Sequence, residues 1–233
     1  MLVSLLGRPG AEVPLFARLL SARLRAELVS VPAAAAAELA HATHLGAQLQ
    51  KAAPLIGAPL PAALVAPLVL PKLERATRGA AEPNLVLSGF PRTLEQLTML
   101  QHAGVSAMPR IVHLTLPRAE AERRLASRCV CANCGEAMHT LPPSAGAPAG
   151  LHVHLLEEAT ECEAPKPSRA AADAPDAVRR RLDAFDALTM PLIEKLQARG
   201  AEVREVAVCE SADETWRAVE AACVRMPGES GPA

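Results

Sequence analysis

Residues 84–96 read NLVLSGFPRTLEQ. The run from Asn84 to Ser88 is short and apolar, which is typical of a buried strand. Gly89-Phe90-Pro91 ends the run, because glycine and proline interrupt regular structure most strongly. Apolar residues at helical spacing then follow from Leu94 to His102. This stretch predicts a buried strand that turns sharply into a helix, the unit from which parallel α/β sheets are built.

The same unit recurs along the chain on both sides of this stretch. Further strands are predicted at 1–6, 27–31, 110–116 and 202–208. Helical patterns alternate with them at 14–25, 33–40, 44–51, 62–78, 118–127, 176–199 and 212–226. This alternation predicts an α/β fold with a doubly wound, mostly parallel sheet that carries helices on both faces. Residues 129–173 break the pattern and predict an irregular inserted subdomain.

The composition limits the classes of function. The chain has 233 residues, of which 50% are hydrophobic, enough for one large domain with a substantial core. Its 24 Lys and Arg against 25 Asp and Glu give a net charge of −1, which argues against binding nucleic acid or an anionic membrane. Small molecules or proteins are the expected partners. Six cysteines, without a secretory start, favour an intracellular, reducing compartment, the cytoplasm by default, with an organelle or a cilium left open.

An uncharged stretch of 20 residues, Ala52 to Pro71, has about the length of a bilayer core. Its five prolines would leave backbone groups without partners in hydrocarbon, so the sequence predicts no membrane insertion. A packed surface subdomain is the expected structure. Its aliphatic residues, including Leu64 and Leu68, predict a contact for a protein partner, and packing onto the core is the alternative.

The turn after the first strand has the opening of a phosphate-binding loop. Gly7 and Gly10 would let backbone amides approach an anion at the start of the next helix. A working loop of this kind continues to a second glycine, a lysine and a Ser or Thr, whereas this chain continues Glu12-Val13-Pro14-Leu15. The sequence therefore predicts that the loop keeps its path but holds no triphosphate, and it argues against Mg-ATP as a cofactor. Without further signals, an ordinary strand-to-helix turn is the alternative.

Residues 88–96 resemble the D-G-F-P-R-T-x-x-Q signature of the adenylate kinase family. Three other segments are similar to motifs of that family, in the same order along the chain. They are the L-L-G-x-P-G start at 5–10, the P-x-x-x-x-x-x-R-x-x-x-R entry to the lid with C-x-x-C-G at 117–135, and V-R-x-R-L…T-x-P-L-I at 178–193. The resemblance covers nearly the whole chain.

The resemblance implies a P-loop-type doubly wound parallel sheet of five strands with two insertions. The core would comprise residues 1–32, 79–127 and 174–226. Residues 33–78 would form a helical insertion like the one that binds the nucleoside monophosphate, and 128–173 the lid. Residues 227–233 would be a flexible tail.

The resemblance also implies roles for individual residues. Arg92 matches the arginine that holds the phosphate of AMP, and Gln96 the glutamine that reads the adenine edge. Matches to the catalytic arginines, vestigial or of low activity here, are Arg124, Arg128 and Arg181. Gly7 and Gly10 would belong to the nucleotide-binding loop. The arginines could instead form ordinary helix ion pairs, for example with Glu120 or Asp183.

The family's charged catalytic positions are changed in this chain. Val13 stands at the loop lysine, Leu15 at the loop threonine, and Ser88 at the strand-end aspartate that holds magnesium through water. These changes predict an open, apolar cleft lined by Val13, Leu15, Val31 and Ala36.

A zinc ion is possible in the lid. Cys131 and Cys134 form a C-x-x-C pair of the type that supplies half of a tetrahedral site. His152 and Cys162 are candidates for the other ligands, with His139 and His154 as alternatives, since no second C-x-x-C follows. Free thiols in a degenerate lid are the other interpretation.

Three functions fit these observations. The first is an adenylate-kinase-like protein that has lost phosphotransfer and serves as a structural or interaction module, such as a subunit of a larger assembly. The second is a working nucleoside monophosphate kinase in which Arg8 or one of residues 179–181 replaces the lysine. The third is a sensor that binds an AMP-like nucleotide.

Overall fold

The computed structural model describes residues 1–52, 59–77, 84–102, 109–131, 137–139, 167–169 and 173–224. Its strands are β1 (Leu2–Gly7), β2 (Glu27–Ser30), β3 (Leu85–Ser88), β4 (Arg110–Thr115), β5 (Arg128–Cys131), β6 (Ala137–His139), β7 (Pro167–Ser168) and β8 (Val203–Ala207). Its helices are α1 (Val13–Leu24), α2 (Val31–Ala40), α3 (His44–Ala52), α4 (Ala62–Thr77), α5 (Leu94–His102), α6 (Arg118–Ser127), α7 (Pro175–Ala184), α8 (Met190–Ala198) and α9 (Ala212–Val224).

Five strands form one parallel sheet in the order β2-β3-β1-β4-β8. Strand β3 lies inside the sheet between β2 and β1, and its residues Leu85 to Ser88 are buried. The prediction of a five-stranded, doubly wound parallel sheet is confirmed. Because all five strands point the same way, the loops that follow them meet at one edge of the sheet.

Successive residues of the strands pack on opposite faces of the sheet, as strand geometry requires. In β1, Val3 and Leu5 join a core cluster that includes Phe16 of α1. Leu2 packs with α4 residues on the other face, and Leu6 packs there with residues of α8. The sheet is therefore buried on both sides, which is typical of parallel sheets.

Helix α4 packs on the core, which differs from the expected contact with a partner. It was expected to present Leu64 and Leu68 to a partner, but Leu68 is 6% exposed and packs with Val65 and Val69 on the core, where Leu64 also makes contact. The helix runs through Pro67 and Pro71. The buried face outweighs the two lost backbone bonds, so the alternative of core packing is the one that the structure supports. Within the described residues, no helix combines the length and apolar character needed to cross a bilayer.

The segment after α6 was expected to be irregular, yet part of it is ordered as a sheet. Strands β6-β5-β7 form a three-stranded antiparallel sheet, in which Val130 pairs with Ala137 and Ser168. The strands have two to four residues, too few for an alternating pattern to be visible in sequence. Most of the predicted lid and the predicted tail lie outside the described residues.

The predicted helix 176–199 is present, but one turn of it is wider than an α-helix. Between α7 and α8, residues Phe185–Thr189 form a π-helical turn. Pro191 has no amide hydrogen to donate to the carbonyl four residues earlier, so a wider turn at this point is sterically and energetically reasonable.

Candidate functional site

The loops that follow β1, β2 and β3 enclose a cleft of about 410 Å³ at the carboxyl edge of the sheet. Most of the residues predicted to bind nucleotide or to act in catalysis line it. These are Gly7, Gly10, Arg92, Gln96, Arg128 and Arg181. Arg124 does not line the cleft. Of the four apolar residues expected there, Val13 and Val31 line the cleft, whereas Leu15 packs on the core and Ala36 is exposed on α2.

The loop after β1 is a tight turn with two glycines. A Cβ atom at Gly7 would lie 3.0 Å from the Leu114 carbonyl oxygen, so this position accepts little more than glycine. Gly10 has a φ of +93°, and Glu12, just before α1, has a φ of 53° in the left-handed region. Glu12 thus occupies a backbone conformation that favours glycine, which is the residue that a working loop would place there.

The side chains of this loop do not suit a magnesium triphosphate. Val13 is 8% exposed and joins the core cluster that contains Phe16, so an aliphatic group stands where a cation is needed. Leu15 offers no oxygen to a metal. Ser88, at the end of β3, offers a neutral hydroxyl in place of a carboxylate. Magnesium prefers carboxylate and phosphate oxygens, and neither Leu15 nor Ser88 supplies a carboxylate.

The guanidinium of Arg8, a candidate to replace the missing lysine, is bonded to groups outside the phosphate loop. Its Nη2 and Nε atoms lie 2.9 and 3.0 Å from Oδ1 of Asp186, and its Nη1 donates to the Leu116 carbonyl oxygen over 2.8 Å. Its guanidinium also lies 5.7 Å from the centre of the Phe185 ring. The loop is thereby tied to the π-helical turn, a connection that the sequence did not indicate.

Arg92 follows β3 and is fixed through its main chain. Its amide N–H donates to Oε1 of Gln96 over 2.8 Å, and its carbonyl oxygen accepts a hydrogen bond from Oγ1 of Thr189 over 3.1 Å. Within the described chain, the Arg92 guanidinium makes no hydrogen bond or ion pair. Burial, and secondarily the positive charge of Arg181, lowers the pKa of Arg92. The cleft thus contains a partly desolvated cation, an environment that favours an anionic ligand.

Gln96 is 3% exposed, and its amide is bonded to the main chain on both sides. Besides accepting from Arg92, it donates from Nε2 to the Leu60 carbonyl oxygen over 2.9 Å. The side chain therefore joins the Arg92 turn to the segment before α4. Thr189, which clamps the other side of Arg92, was not singled out from the sequence, because a buried threonine inside a helix has no distinguishing pattern.

Arg128 and Arg181 meet at a common carboxylate. Asp173, which is fully buried, has its two oxygens 3.0 Å from Nη1 of Arg128 and Nη1 of Arg181. This aspartate was also missed, since it is 45 residues from Arg128 in sequence. It holds two of the cleft's cations at the point where the chain returns from the lid.

Arg124 fits the alternative of a helix ion pair. Its Nε donates to Glu120 over 2.7 Å and its Nη2 to the Cys209 carbonyl oxygen over 3.0 Å. Hydrogen bonds from Arg123 and Arg124 lower the pKa of Glu120 to about 2. Arg124 therefore ties α6 to the segment after β8.

The zinc prediction falls largely outside the described residues. This holds for the side chain of Cys131 and for Cys134, His152 and Cys162 entirely. Among the residues that the structure describes, no group of three or more His, Cys, Asp or Glu is arranged to hold a metal. Zinc in the lid stays a prediction.

The parallel sheet, the glycine turn after β1 and the cleft beside it define a P-loop-type α/β protein. No family model matches the chain. Among curated proteins, the chain is 30% identical to the adenylate kinase of Citrifermentans bemidjiense, over 84% of this chain and 87% of that protein. It is 27% identical to the adenylate kinase of Desulforamulus reducens over the same shares, and 25% identical to that of Caldicellulosiruptor bescii over 95% of this chain and 98% of that protein. The chain belongs to the adenylate kinase family.

Proposed function

We propose that this adenylate kinase family member binds a nucleoside monophosphate in the cleft and does not transfer a phosphoryl group from Mg-ATP. The proposal is supported by a difference in charge between two parts of the cleft. Arg92 is a half-buried cation without an ion-pair partner in the described chain, whereas the phosphate loop has Val13 and Glu12 at its cationic and glycine positions.

The loss of transfer rests on charge. Phosphoryl transfer depends on positive groups around the phosphate oxygens and on a correctly held magnesium ion. Removing one transition-state donor typically lowers a rate by about 10²–10³. Val13 stands at one such position, and Leu15 and Ser88 stand at two positions that would hold magnesium. Arg8 is bonded to Asp186 and to the Leu116 carbonyl oxygen.

Glu12 adds repulsion to this loss. Two unit charges about 4 Å apart interact by about 4 kcal/mol at an effective dielectric constant near 20. A carboxylate in the loop therefore offsets much of what the loop amides contribute to a triphosphate.

The retention of monophosphate binding rests on Arg92, Arg128 and Arg181, which all line the cleft. Asp173 pairs with the last two but not with Arg92. Because a half-buried charge without a partner is unfavourable, an anion beside Arg92 gains both the ion pair and charge-assisted hydrogen bonds, each about 1.5–3 kcal/mol.

Isothermal titration calorimetry with AMP tests the binding. Arg92→Met should weaken AMP binding by about 10–100-fold, the equivalent of one charge-assisted interaction. Arg179→Met is the matched control, since Arg179 is exposed on α7 and pairs with Asp176. An AMP affinity that Arg92→Met leaves unchanged would contradict the proposal.

The role as an interaction module stays a prediction. Leu68, one of the two leucines predicted to meet a partner, packs in the core, so the buried face of α4 is not that contact surface.

A further inference from the structure

His113 is a buried histidine on β4, outside the cleft. It pairs in register with Leu6 of β1 and Glu205 of β8, and it is 5% exposed. Within the described chain its Nδ1 atom has no hydrogen-bond partner, because Oε1 of Glu205 lies 3.7 Å away, too far for such a bond. A buried imidazole of this kind can take up a proton, and its surroundings set the pH at which it does so.

The His113 ring is connected to the phosphate loop through the π-helical turn. Its centre lies 6.2 Å from the centre of the Phe185 ring, and the two ring planes are inclined by 27°. The Arg8 guanidinium lies 5.7 Å from the centre of the same Phe185 ring and is bonded to Asp186, the next residue of the turn. A proton on His113 would therefore place a positive charge close to that of Arg8.

The charged groups around His113 act in opposite directions. Glu205 of β8 favours the protonated ring, and Arg8 of the phosphate loop opposes it. Asp186 of the π-helical turn is already paired with Arg8, and the neighbour on β1, Leu6, is uncharged. Burial has the largest effect and lowers the pKa of His113 from its usual 6.5, the Glu205 carboxylate raises it, and Arg8 lowers it further. The ring is therefore neutral at pH 7 and becomes charged in acidic solution.

We propose that His113 is a pH-sensitive switch that controls how firmly the phosphate loop is held to the π-helical turn. The neutral ring packs beside Phe185 while Arg8 stays bonded to Asp186. The protonated ring is repelled by Arg8 and attracted to the exposed Glu205, so the contact between the loop and the turn weakens. This coupling is reciprocal, because the factor by which Arg8 disfavours the proton equals the factor by which the proton disfavours the bound state of Arg8.

An NMR titration of the histidine rings tests the electrostatic coupling. The midpoint of the His113 signal should lie below pH 6.5 in the unmodified protein. Arg8→Met should raise this midpoint by about 0.3–1 pH unit, which is about a two- to tenfold change in proton affinity. Arg118→Met is the matched control, since Arg118 also pairs with Asp186 and should leave the midpoint unchanged.

Hydrogen exchange at the Ala11 amide tests the effect on the loop, because this amide donates to the Arg8 carbonyl oxygen over 3.0 Å. From about pH 7.5 to about pH 5, its protection should fall about two- to tenfold in the unmodified protein, after correction for the intrinsic effect of pH on exchange. His113→Leu cannot be protonated and should keep its protection. His44→Leu, at an exposed position of α3, should behave as the unmodified protein does.

A His113 midpoint at or above pH 6.5, or one that Arg8→Met leaves unchanged, would overturn the inference. Equal shifts in Arg8→Met and Arg118→Met would do the same, as would a loss of Ala11 protection that His113→Leu also shows. Should His113→Leu not fold, as judged by its circular dichroism melting curve, the titration of Arg8→Met decides the question.

Discussion

At the scale of single residues, the arginines of the cleft differ in their ion pairing. Arg128 and Arg181 each pair with Asp173, whereas the Arg92 guanidinium has no carboxylate partner in the described chain. Arg92 is half-buried near Arg181, and both features lower its pKa. We expect such a residue to destabilise the free protein and an anion that binds beside it to compensate for this.

Arg92→Met should therefore stabilise the free protein. Methionine keeps most of the aliphatic stem and removes the buried charge, so we expect a gain of about 1 kcal/mol. For a chain of this size that corresponds to a rise in melting temperature of about 2–4 °C, measurable by differential scanning calorimetry without ligand. A fall in melting temperature would show that Arg92 is part of the structural framework.

At the scale of elements, the packing of α4 can be tested by comparing a substitution on its buried face with one on its exposed face. Leu68→Asp should unfold or strongly destabilise the protein, because a carboxylate would enter the core cluster with Val65 and Val69, a change of several kcal/mol. Ala63→Asp is the matched control, since Ala63 is exposed in the first turn of α4, where a negative charge is tolerated. Thermal melts of both variants check this. Equal melting temperatures would restore the surface interpretation of α4.

Helix α6 offers a prediction about pH. The pKa of Glu120 is lowered from 4.5 to about 2 by hydrogen bonds from Arg123 and Arg124. A lowered folded-state pKa stabilises the fold above about pH 4.5, and this contribution is lost as the pH falls toward 2. In urea denaturation, Glu120→Gln should be less stable than the unmodified protein at neutral pH, with the difference shrinking on acidification. A difference that does not change with pH would show that the two ion pairs do not stabilise α6.

The sequence could predict those features of the site that depend on neighbouring residues, but not those that depend on contacts between distant parts of the chain. Gly7, Gly10 and Arg92 were predictable as neighbours, because each lies just after a parallel strand and such strands end at one edge. The contact of Arg8 with Asp186 spans 178 residues, and that of Arg181 and Arg128 with Asp173 depends on the return of the lid segment. Partners of this kind are set by tertiary packing, so local sequence patterns do not indicate them. The burial of Leu68 was ambiguous for the same reason.

At the scale of the whole molecule, the residues that stabilise the fold are different from the charged residues of the phosphate loop. The sheet is covered on both faces by hydrophobic clusters, and these clusters contain no charged loop residue. Val13 even joins one of them. A chain can therefore keep the adenylate kinase fold while its phosphate loop changes, which is why family membership alone does not establish phosphoryl transfer.

The central claim is that one cleft retains a monophosphate site and lacks transfer. Phosphorus-31 NMR of the protein with AMP and Mg-ATP observes both properties in the same sample. The account predicts that the AMP resonance shifts or broadens on addition of protein, that Arg92→Met removes this effect, and that no ADP resonances grow above those of a protein-free sample. Accumulation of ADP that Arg92→Met abolishes would contradict the account and establish a working kinase with an altered phosphate loop.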